Sequence, residues 1–494
     1  MPDIATDTPA TGLPSATHLP LATRREHDLI GDRDVPADAY YGIHTLRALE
    51  NFPITGTPIS IYPGLVRALA SIKMAAARAN HELGLLDAKR TEAIVAACFE
   101  IHGGALRDQF TVDVIQGGAG TSTNMNANEV IANRALELLG HAKGDYTALH
   151  PNEHVNLSQS TNDVYPTALK IAAHEGVLEL VEAMAHLRRA FEAKSAEFAD
   201  VIKMGRTQLQ DAVPMTLGQE FSTYAVMLGE DEMRLREAVA LLCEINMGAT
   251  AIGTGINSHP DYAATVCRHL RHITGLPVVT AINLIEATQD CGSFVQVSGV
   301  LKRVAVKLSK ICNDLRLLSS GPRVGLGEIN LPAVQAGSSI MPGKINPVIP
   351  EVVNQIAFEV IGNDVTISFA AESGQLQLNA FEPIIAHSLF KSVTHLKAGC
   401  LTLADRCVDG ITANREHLRS GVERSIGMIT ALNPYIGYVN ATEVAQAALA
   451  SGRSVTEIVL ERGLMTKEQL DDIMRPEVLT KPRAIIVPAT LRPV

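Results

Sequence analysis

Tryptophan is absent from this chain of 494 residues, and aromatic residues make up only 4% of it. Hydrophobic residues still make up 46%, so the core must be built from alanine, leucine, isoleucine and valine. Such a core favours helices packed closely on helices, and the length allows about three domains with a large buried interior. The composition therefore predicts a mainly helical protein.

The chain also lacks the signals of several function classes. Its formal net charge of −11 argues against a nucleic-acid partner, because binding a polyanion requires clustered lysine and arginine. The seven cysteines are scattered without a C-x-x-C pair, which favours reduced thiols in the cytoplasm over a disulfide framework or a zinc site. No apolar run reaches transmembrane length and the N-terminus lacks a signal-peptide pattern, so no membrane association is predicted.

Several well-known catalytic motifs are missing too. Five residues separate Gly337 from Gly343 and Ile345 follows the lysine, whereas a phosphate-binding P-loop has four residues between its glycines and Ser or Thr after its lysine. The glycines at 117–120 do not form G-x-G-x-x-G, and neither H-E-x-x-H nor G-x-S-x-G occurs. The sequence therefore contains no motif that supports a nucleotide-binding, metal-hydrolase or serine-hydrolase function.

Helical periodicity dominates what is present. It predicts helices from near Gly64 to Leu83, from Ala88 to His102, up to Gly140, up to about Phe198, from Pro214 towards Asn246, from Leu284, from Glu351 to Leu376, and from Pro383 to Cys407. A heptad seam of Val297, Leu301, Val304, Leu308, Ile311, Leu315 and Leu318 predicts a helix bundle core or an oligomer interface. Residues 24–52 read instead as an irregular segment.

Changes in composition divide the chain. We predict a disordered leader over 1–23, a mixed but mainly helical domain over 24–160, a central domain of long helices over 161–415, and a small helical domain over 416–494 with an extended, Pro-rich tail. In the last domain Ser454 with Glu457 and Thr466 with Gln469 have the spacing of capping boxes.

Four segments share a polar character that suits a bound anion. Gly118–Asn124, Ser158–Asn162 and Gly205–Gln208 place hydroxyl groups at or near predicted helix starts, where the helix dipole favours negative charge. The fourth segment, Gly337–Asn346, is a loop that offers two serines, a lysine and an amide. Singly these are ordinary helix caps and a connector; converging on one site, they would form a pocket suited to a dicarboxylate.

The same four segments resemble the aspartase/fumarase superfamily. The motifs are GGAGTSTNMNANEV, SQSTND, GRTQLQDAVP and GSSIMPGKINP, and the likeness runs from about Asp28 to Met474. The chain looks closest to the ammonia-lyase branch, because Thr161 stands in STND, PVIPEVVNQ follows Asn346, and LIGDRDVPADAYYGIHTLRALENF opens the shared region.

The resemblance implies a mainly all-α fold in which long central helices of four subunits form the core of a homotetramer. Each active site is then shared by three subunits, which would let distant segments meet. The implied reaction is reversible loss of ammonia from L-aspartate to give fumarate, with no cofactor or metal required for the chemistry; activation by a divalent metal stays open. Fumarate hydration, another fumarate-releasing lyase activity, and a catalytically silent structural tetramer remain alternatives.

Residue roles follow from the resemblance alone. Ser338 is implied as the base that removes the Cβ proton of the substrate. The carboxylates would be held by Thr121, Ser339, Lys344 and Asn346. Preorganised donors are needed because a proton beside a carboxylate is only weakly acidic, and its removal produces a dianion.

The remaining implied substrate-binding residues come from the second and third segments. Ser160 and Thr161 would contribute to binding, and Thr207 would sit near the amino group. Fumarases carry a histidine where this chain has Gln208, so a histidine–glutamate relay through Glu351 cannot operate here. Gln208 suits substrate positioning in an ammonia-lyase better than in a hydratase.

Overall fold

Helices dominate the computed structural model, which describes residues 22–482 and Ala484. The helices of this part are α1 Ile43–Asn51, α2 Pro63–Glu82, α3 Ala88–His102, α4 Thr121–Leu138, α5 Thr161–Glu197, α6 Leu217–Val239, α7 Tyr262–Thr274, α8 Glu286–Gln289, α9 Gly292–Leu318, α10 Val348–Glu372, α11 Glu382–Arg406, α12 Arg415–Arg424, α13 Ile429–Ile436, α14 Tyr438–Ser451, α15 Val455–Glu461, α16 Lys467–Ile473 and α17 Pro476–Leu479. The predicted mainly helical fold is confirmed. Nearly all of the predicted leader lies outside the described residues.

The strands in the described part are few and short. They are β1 Thr23–Asp28, β2 Gly31–Pro36, β3 Ile202–Thr207, β4 Gln210–Thr216, β5 Glu244–Ile245, β6 Val279–Thr280, β7 Ile329–Asn330 and β8 Thr412–Ala413. They pair consecutively into two-stranded sheets, of which only β5–β6 is parallel. No helix in the described part combines the length and the apolar character that a membrane crossing requires.

The chain forms two compact units. The first contains the residues up to Ala168 together with Met247–Leu276, and the second contains Leu169–Asn246 together with the residues from Pro277 onward. The boundary therefore falls within α5, whose sequence is helical without interruption. The predicted division into 24–160, 161–415 and 416–494 stays a prediction.

In the first unit α2 packs against α3 and α7. Its buried face is rich in alanine, a small side chain that lets neighbouring helices approach closely. The prediction that 24–52 is irregular is wrong, because β1 and β2 form an antiparallel hairpin and α1 follows. The Asp28 carboxylate closes the hairpin turn by accepting from the N–H groups of Ile30 and Gly31. Charged residues along both strands hide the alternation that normally identifies a strand.

In the second unit α9 packs mainly against α10 and α6. All seven residues of the predicted heptad seam are buried within the chain itself. The seam therefore belongs to the core of this unit, which was one of the two predicted alternatives.

The helix predicted from near Pro214 is present as α6, but the hairpin that precedes it was not predicted. A β-hairpin of β3 and β4 occupies 202–216, and α6 begins only at Leu217. Thr216 caps α6 in a reciprocal capping box with Gln219. Pro214 lies inside β4 of this two-stranded sheet, where a missing N–H group is tolerated.

The C-terminal helices α13–α16 share a small apolar core of their own. Both predicted capping boxes are confirmed, since Ser454 accepts from the Glu457 N–H and Thr466 accepts from the Gln469 N–H. The extended tail predicted from 475 is wrong over Pro476–Leu479, which is a short helix that begins with proline. The tail residues 483 and 485–494 lie outside the described residues.

Candidate active site

The first predicted segment is a strained turn at the start of α4. Gly118, Ala119 and Gly120 have φ of +88°, +54° and +86°, and α4 begins directly afterwards at Thr121. The Thr121 hydroxyl is bonded to the Gly118 carbonyl oxygen at 2.7 Å, and the side chain is exposed. A Cβ atom on Gly120 would lie 2.3 Å from Cδ1 of Tyr165 in α5, so only glycine fits here. This turn therefore leaves Thr121 exposed at the start of α4, with its hydroxyl donating back to Gly118.

The second segment caps α5, whose first residue is Thr161. The Asp163 carboxylate accepts from the Ser160 N–H at 3.0 Å, and the Ser160 hydroxyl accepts from the Asn162 N–H at 3.3 Å. Asn124 of α4 donates from Nδ2 to Oγ1 of Thr161 at 3.1 Å. The structure thus brings the first two segments together within the first unit.

A buried lysine that the sequence analysis missed supports this pair of segments. Lys73 in α2 is 0% exposed, and its Nζ donates to Asn156 Oδ1 and to Gln159 Oε1, both at 2.9 Å. Burial lowers the pKa of Lys73 to about 7, although the charge of Asp163 opposes the shift. The only signal in the sequence was a lysine on the inward face of an alanine-rich helix.

Asp163 was likewise not singled out. Besides Ser160, its buried carboxylate accepts from the N–H groups of Gly248 at 3.2 Å and Thr250 at 3.0 Å. Burial raises the pKa of Asp163 to about 7, and the three N–H donors oppose that rise. Asp163 therefore ties the start of α5 to the loop 247–257 inside the first unit.

The third segment forms the tip of the β3–β4 hairpin. Thr207 is the last residue of β3, and both Thr207 and Gln208 are exposed. The prediction that this segment starts a helix is wrong. The turn consists of Gln208 and Leu209 with φ of +54° and +64°, a left-handed conformation that costs of order 1 kcal/mol or more for each non-glycine residue. Strain of this kind at an exposed polar tip is typical of functional positions.

The fourth segment is a closed loop. The Gly337 N–H donates to the Lys344 carbonyl oxygen at 2.8 Å, and Asn346 Nδ2 donates to the Gly337 carbonyl oxygen at 2.7 Å. Ser339 and Lys344 are exposed, whereas Ser338 is half-buried. Lys344 forms no ion pair with any residue that the structure describes, so its charge is available to a ligand.

The Ser338 side chain closes a local turn within this loop. Its Oγ accepts from the N–H groups of Met341 at 2.9 Å and Ile340 at 3.2 Å. Two such donors stabilise negative charge on the oxygen more than they stabilise the neutral hydroxyl. The loop therefore places two main-chain N–H donors on the oxygen of Ser338.

The predicted site residues are divided between the two units. Thr121, Ser160 and Thr161 lie in the first unit, whereas Thr207, Gln208, Ser338, Ser339, Lys344 and Asn346 lie in the second. Within the described residues no group of three or more His, Cys, Asp and Glu side chains could hold a metal ion.

Comparison with known proteins identifies the family. Residues 31–362 match a family model described as "Lyase", and residues 428–481 match one described as "Fumarase C C-terminus". The chain belongs to the aspartase/fumarase superfamily of lyases. The predicted superfamily and enzyme class are confirmed.

Relatives within this family cover almost the whole chain. An aspartate ammonia-lyase of Helicobacter pylori (strain J99) is 59% identical over 93% of this chain and 98% of its own length. An aspartate ammonia-lyase of Pseudomonas fluorescens is 60% identical over 94% of this chain and 97% of its own, and one of Escherichia coli (strain K12) is 56% identical over 93% and 96%.

Solved structures agree on the fold. A fumarate lyase:delta crystallin from Brucella melitensis, bound to cobalt, has a TM-score of 0.91 at 57% identity and covers 93% of this chain and 100% of its own. A class II fumarase from Schistosoma mansoni has a TM-score of 0.87 at 36% identity and covers 92% of this chain and 98% of its own. The predicted fold family is thereby confirmed.

Proposed function

We propose that this lyase is an aspartate ammonia-lyase, which converts L-aspartate reversibly into fumarate and ammonia. The observation that carries the proposal is the set of relatives of that name, which are 56 to 60% identical over 93 to 94% of this chain. The fumarase structure is more distant at 36% identity, which places hydration of fumarate second.

In the proposed reaction Ser338 removes a proton from Cβ of the substrate. The N–H groups of Ile340 and Met341, which already bond to Ser338 Oγ, support this role because they stabilise the oxyanion. Electrons of the broken C–H bond move into the adjacent carboxylate, giving an aci-carboxylate dianion. Expulsion of the amine as ammonia then forms the double bond of fumarate.

Groups that carry positive charge or hydrogen-bond donors must hold that dianion. We assign the carboxylates to Ser339, Lys344 and Asn346 of the loop and to Thr121 at the start of α4, with Ser160 and Thr161 contributing from the start of α5. Lys344 supports this assignment because it pairs with no carboxylate among the described residues and one nearby cation favours the dianion over the substrate.

The hairpin tip would bind the amine end of the substrate. Thr207 offers a hydroxyl there, and Gln208 offers a neutral amide where fumarases have histidine. A neutral amide cannot exchange a proton with water as a histidine can. We therefore expect departure of ammonia without a dedicated acid, provided that the amine enters protonated.

We also propose a homotetramer whose active sites are each completed by three subunits. Support comes from α10, where Phe358, Val365 and Phe369 lie on one face of the helix and are 61%, 51% and 69% exposed. Contiguous apolar surface of this kind marks a binding face in soluble proteins. The seven cysteines are all buried and form no disulfide among the described residues, which suits the cytoplasm.

The function is tested by following the near-ultraviolet absorbance of fumarate with L-aspartate or L-malate as sole substrate. We expect formation of fumarate from aspartate. Turnover of malate without turnover of aspartate would contradict the proposal in favour of a hydratase, and inactivity towards both would favour a structural tetramer.

The role of Ser338 is tested by Ser338→Ala, which removes the proposed base. We expect a loss of kcat of about 10³-fold or more with an unchanged oligomeric mass and an unchanged melting temperature, because the loop is exposed. Ser320→Ala is a matched control, since the Ser320 hydroxyl also accepts from a main-chain N–H, that of Leu326, but lies outside the loop. A Ser338→Ala tetramer that retains wild-type activity would refute the assignment.

A further inference from the structure

A buried carboxylate lies between two cations of the β3–β4 hairpin. Glu328 is 3% exposed; its Oε2 lies 2.6 Å from Nζ of Lys203, and its Oε1 forms an ion pair with Arg206. Lys203 is itself 1% exposed and also pairs with Glu220 of α6 at 2.6 Å. A buried carboxylate whose two oxygens each meet a different cation has a fixed orientation.

A distortion in β3 allows both Lys203 and Arg206 to reach Glu328. Lys203 and Arg206 are three residues apart, and an odd separation in a regular strand directs side chains to opposite faces. A bulge between Met204 and Arg206 breaks the regular register. Gly205 lies within it, where a Cβ atom would be 2.9 Å from the Val213 carbonyl oxygen. The bulge turns both cations towards Glu328, a typical use of such irregularities.

The main chain around Glu328 is firmly held. Its N–H donates to the Leu318 carbonyl oxygen at the end of α9 at 2.9 Å, and its carbonyl oxygen accepts from the Asn414 N–H at 3.0 Å. The next two residues, Ile329 and Asn330, form β7 and pair with β8. Glu328 is therefore a rigid point from which the chain continues towards the loop that carries Ser338.

On the same side of the hairpin, Met204 of β3 packs in a small apolar cluster with Val422 of α12 and Met428. Beside this cluster lies a cavity of about 360 Å³ that is lined by Met204, Arg206, Glu328, Leu418 and Gly421, among others. The adjacent turn, Gln208 and Leu209, is strained and exposed. Close to Thr207 the hairpin is held by the Arg206–Glu328 ion pair on β3 and by the Ser425 hydroxyl, which donates to Asp211 Oδ2 on β4 at 2.8 Å.

We propose that Glu328 is a positioning residue: through Arg206 and Lys203 it fixes the hairpin tip, and with it Thr207, at the amine end of the substrate. The inference rests on the proposed function, which assigns Thr207 to the amino group. Loss of the ion pair would let the tip move while the carboxylate-binding residues of the loop stay in place. Recognition of ammonia should then suffer more than recognition of fumarate.

The test measures the addition of ammonia to fumarate by Glu328→Gln. We expect the KM for ammonia to rise about tenfold or more, while the KM for fumarate changes less than about twofold. Glu220→Gln is the matched control, because it also removes one carboxylate from Lys203 but leaves Arg206–Glu328 intact. Its KM for ammonia should stay within about twofold of the wild-type value.

Arg206→Lys provides a second route if Glu328→Gln does not fold. Arg206 is partly exposed and lysine keeps the charge, so this variant should fold and show a smaller rise in the KM for ammonia. A purely structural role would lower the active fraction without separating the two KM values. Equal changes in both KM values, an unchanged KM for ammonia, or failure of both variants to assemble would overturn the proposal. Failure of the wild-type enzyme to deaminate aspartate would instead contradict the proposed function.

Discussion

Replacement of Gly120 by alanine should disturb the first two polar segments, at the starts of α4 and α5, together. The new Cβ would lie 2.3 Å from Cδ1 and 2.4 Å from Cγ of Tyr165, far inside contact distance. Tyr165 lies one turn into α5, is 2% exposed and has little room to move. We expect the added methyl group to push the starts of α4 and α5 apart, with Thr121 on one side and Thr161 on the other.

The size of the effect follows from two terms. The φ of +86° at Gly120 costs about 1 kcal/mol for a residue with a side chain. Overpacking against a buried ring adds about 1–3 kcal/mol. The free energy of unfolding should therefore fall by about 2–4 kcal/mol, a large part of the ~5–15 kcal/mol typical of a folded domain.

Gly140→Ala separates the two terms. Gly140 follows the same helix with a φ of +83°, and nothing lies within 4 Å of the position where its Cβ would stand. Urea unfolding of both variants should show a loss of about 1 kcal/mol for Gly140→Ala and a larger loss for Gly120→Ala. Only Gly120→Ala should lower kcat/KM for aspartate. Equal losses of stability in the two variants, or unchanged kcat/KM for Gly120→Ala, would refute this reasoning.

Two further predictions concern the loop and the core of the second unit. Gly337→Ala puts a Cβ 2.6 Å from the Lys344 carbonyl oxygen, so kcat should fall at least about tenfold with an unchanged melting temperature; wild-type kcat would contradict this. Burial raises the pKa of Glu382 from 4.5 to about 8, although the charge of Lys170 opposes the rise. The protonated Glu382 side chain therefore contributes fully to stability below pH 4.5, and this contribution is lost as the pH rises through about 8. Urea unfolding at pH 5 and pH 9 should show Glu382→Gln gaining stability over the wild type at pH 9, and a gain at pH 5 only would exclude this cause.

Local signals account for the parts of the fold that the sequence predicted well. Helix α3 has the predicted bounds, Ala88 to His102, because an apolar period, the Asp87 cap and the following glycine all act within one stretch of chain. The β3–β4 hairpin was missed for the converse reason. Its turn contains Gln208 and Leu209 instead of Asn-Gly, so the sequence does not indicate the left-handed conformation that these two residues adopt.

The candidate site likewise has parts that local sequence signals predict and parts that they do not. Its four polar segments could be found from composition, since each gathers hydroxyl, amide or glycine residues in a few positions. The support beneath them could not be found, because Lys73 and Asn156 are 83 residues apart and meet only in the folded chain. The paired cations at Lys203 and Arg206 were hidden too, because a bulge that reverses strand faces leaves no sequence period.

Because all seven cysteines are buried, their reaction with a thiol reagent can report local opening of the folded chain. Burial raises the pKa of the Cys98, Cys400 and Cys407 thiols to about 12, so almost no reactive thiolate exists at these three positions at neutral pH. A thiol reagent can therefore modify these positions only while the surrounding helices are transiently separated. The rate at which each cysteine is labelled, followed by peptide mass, would rank the local free energies of opening along the native chain.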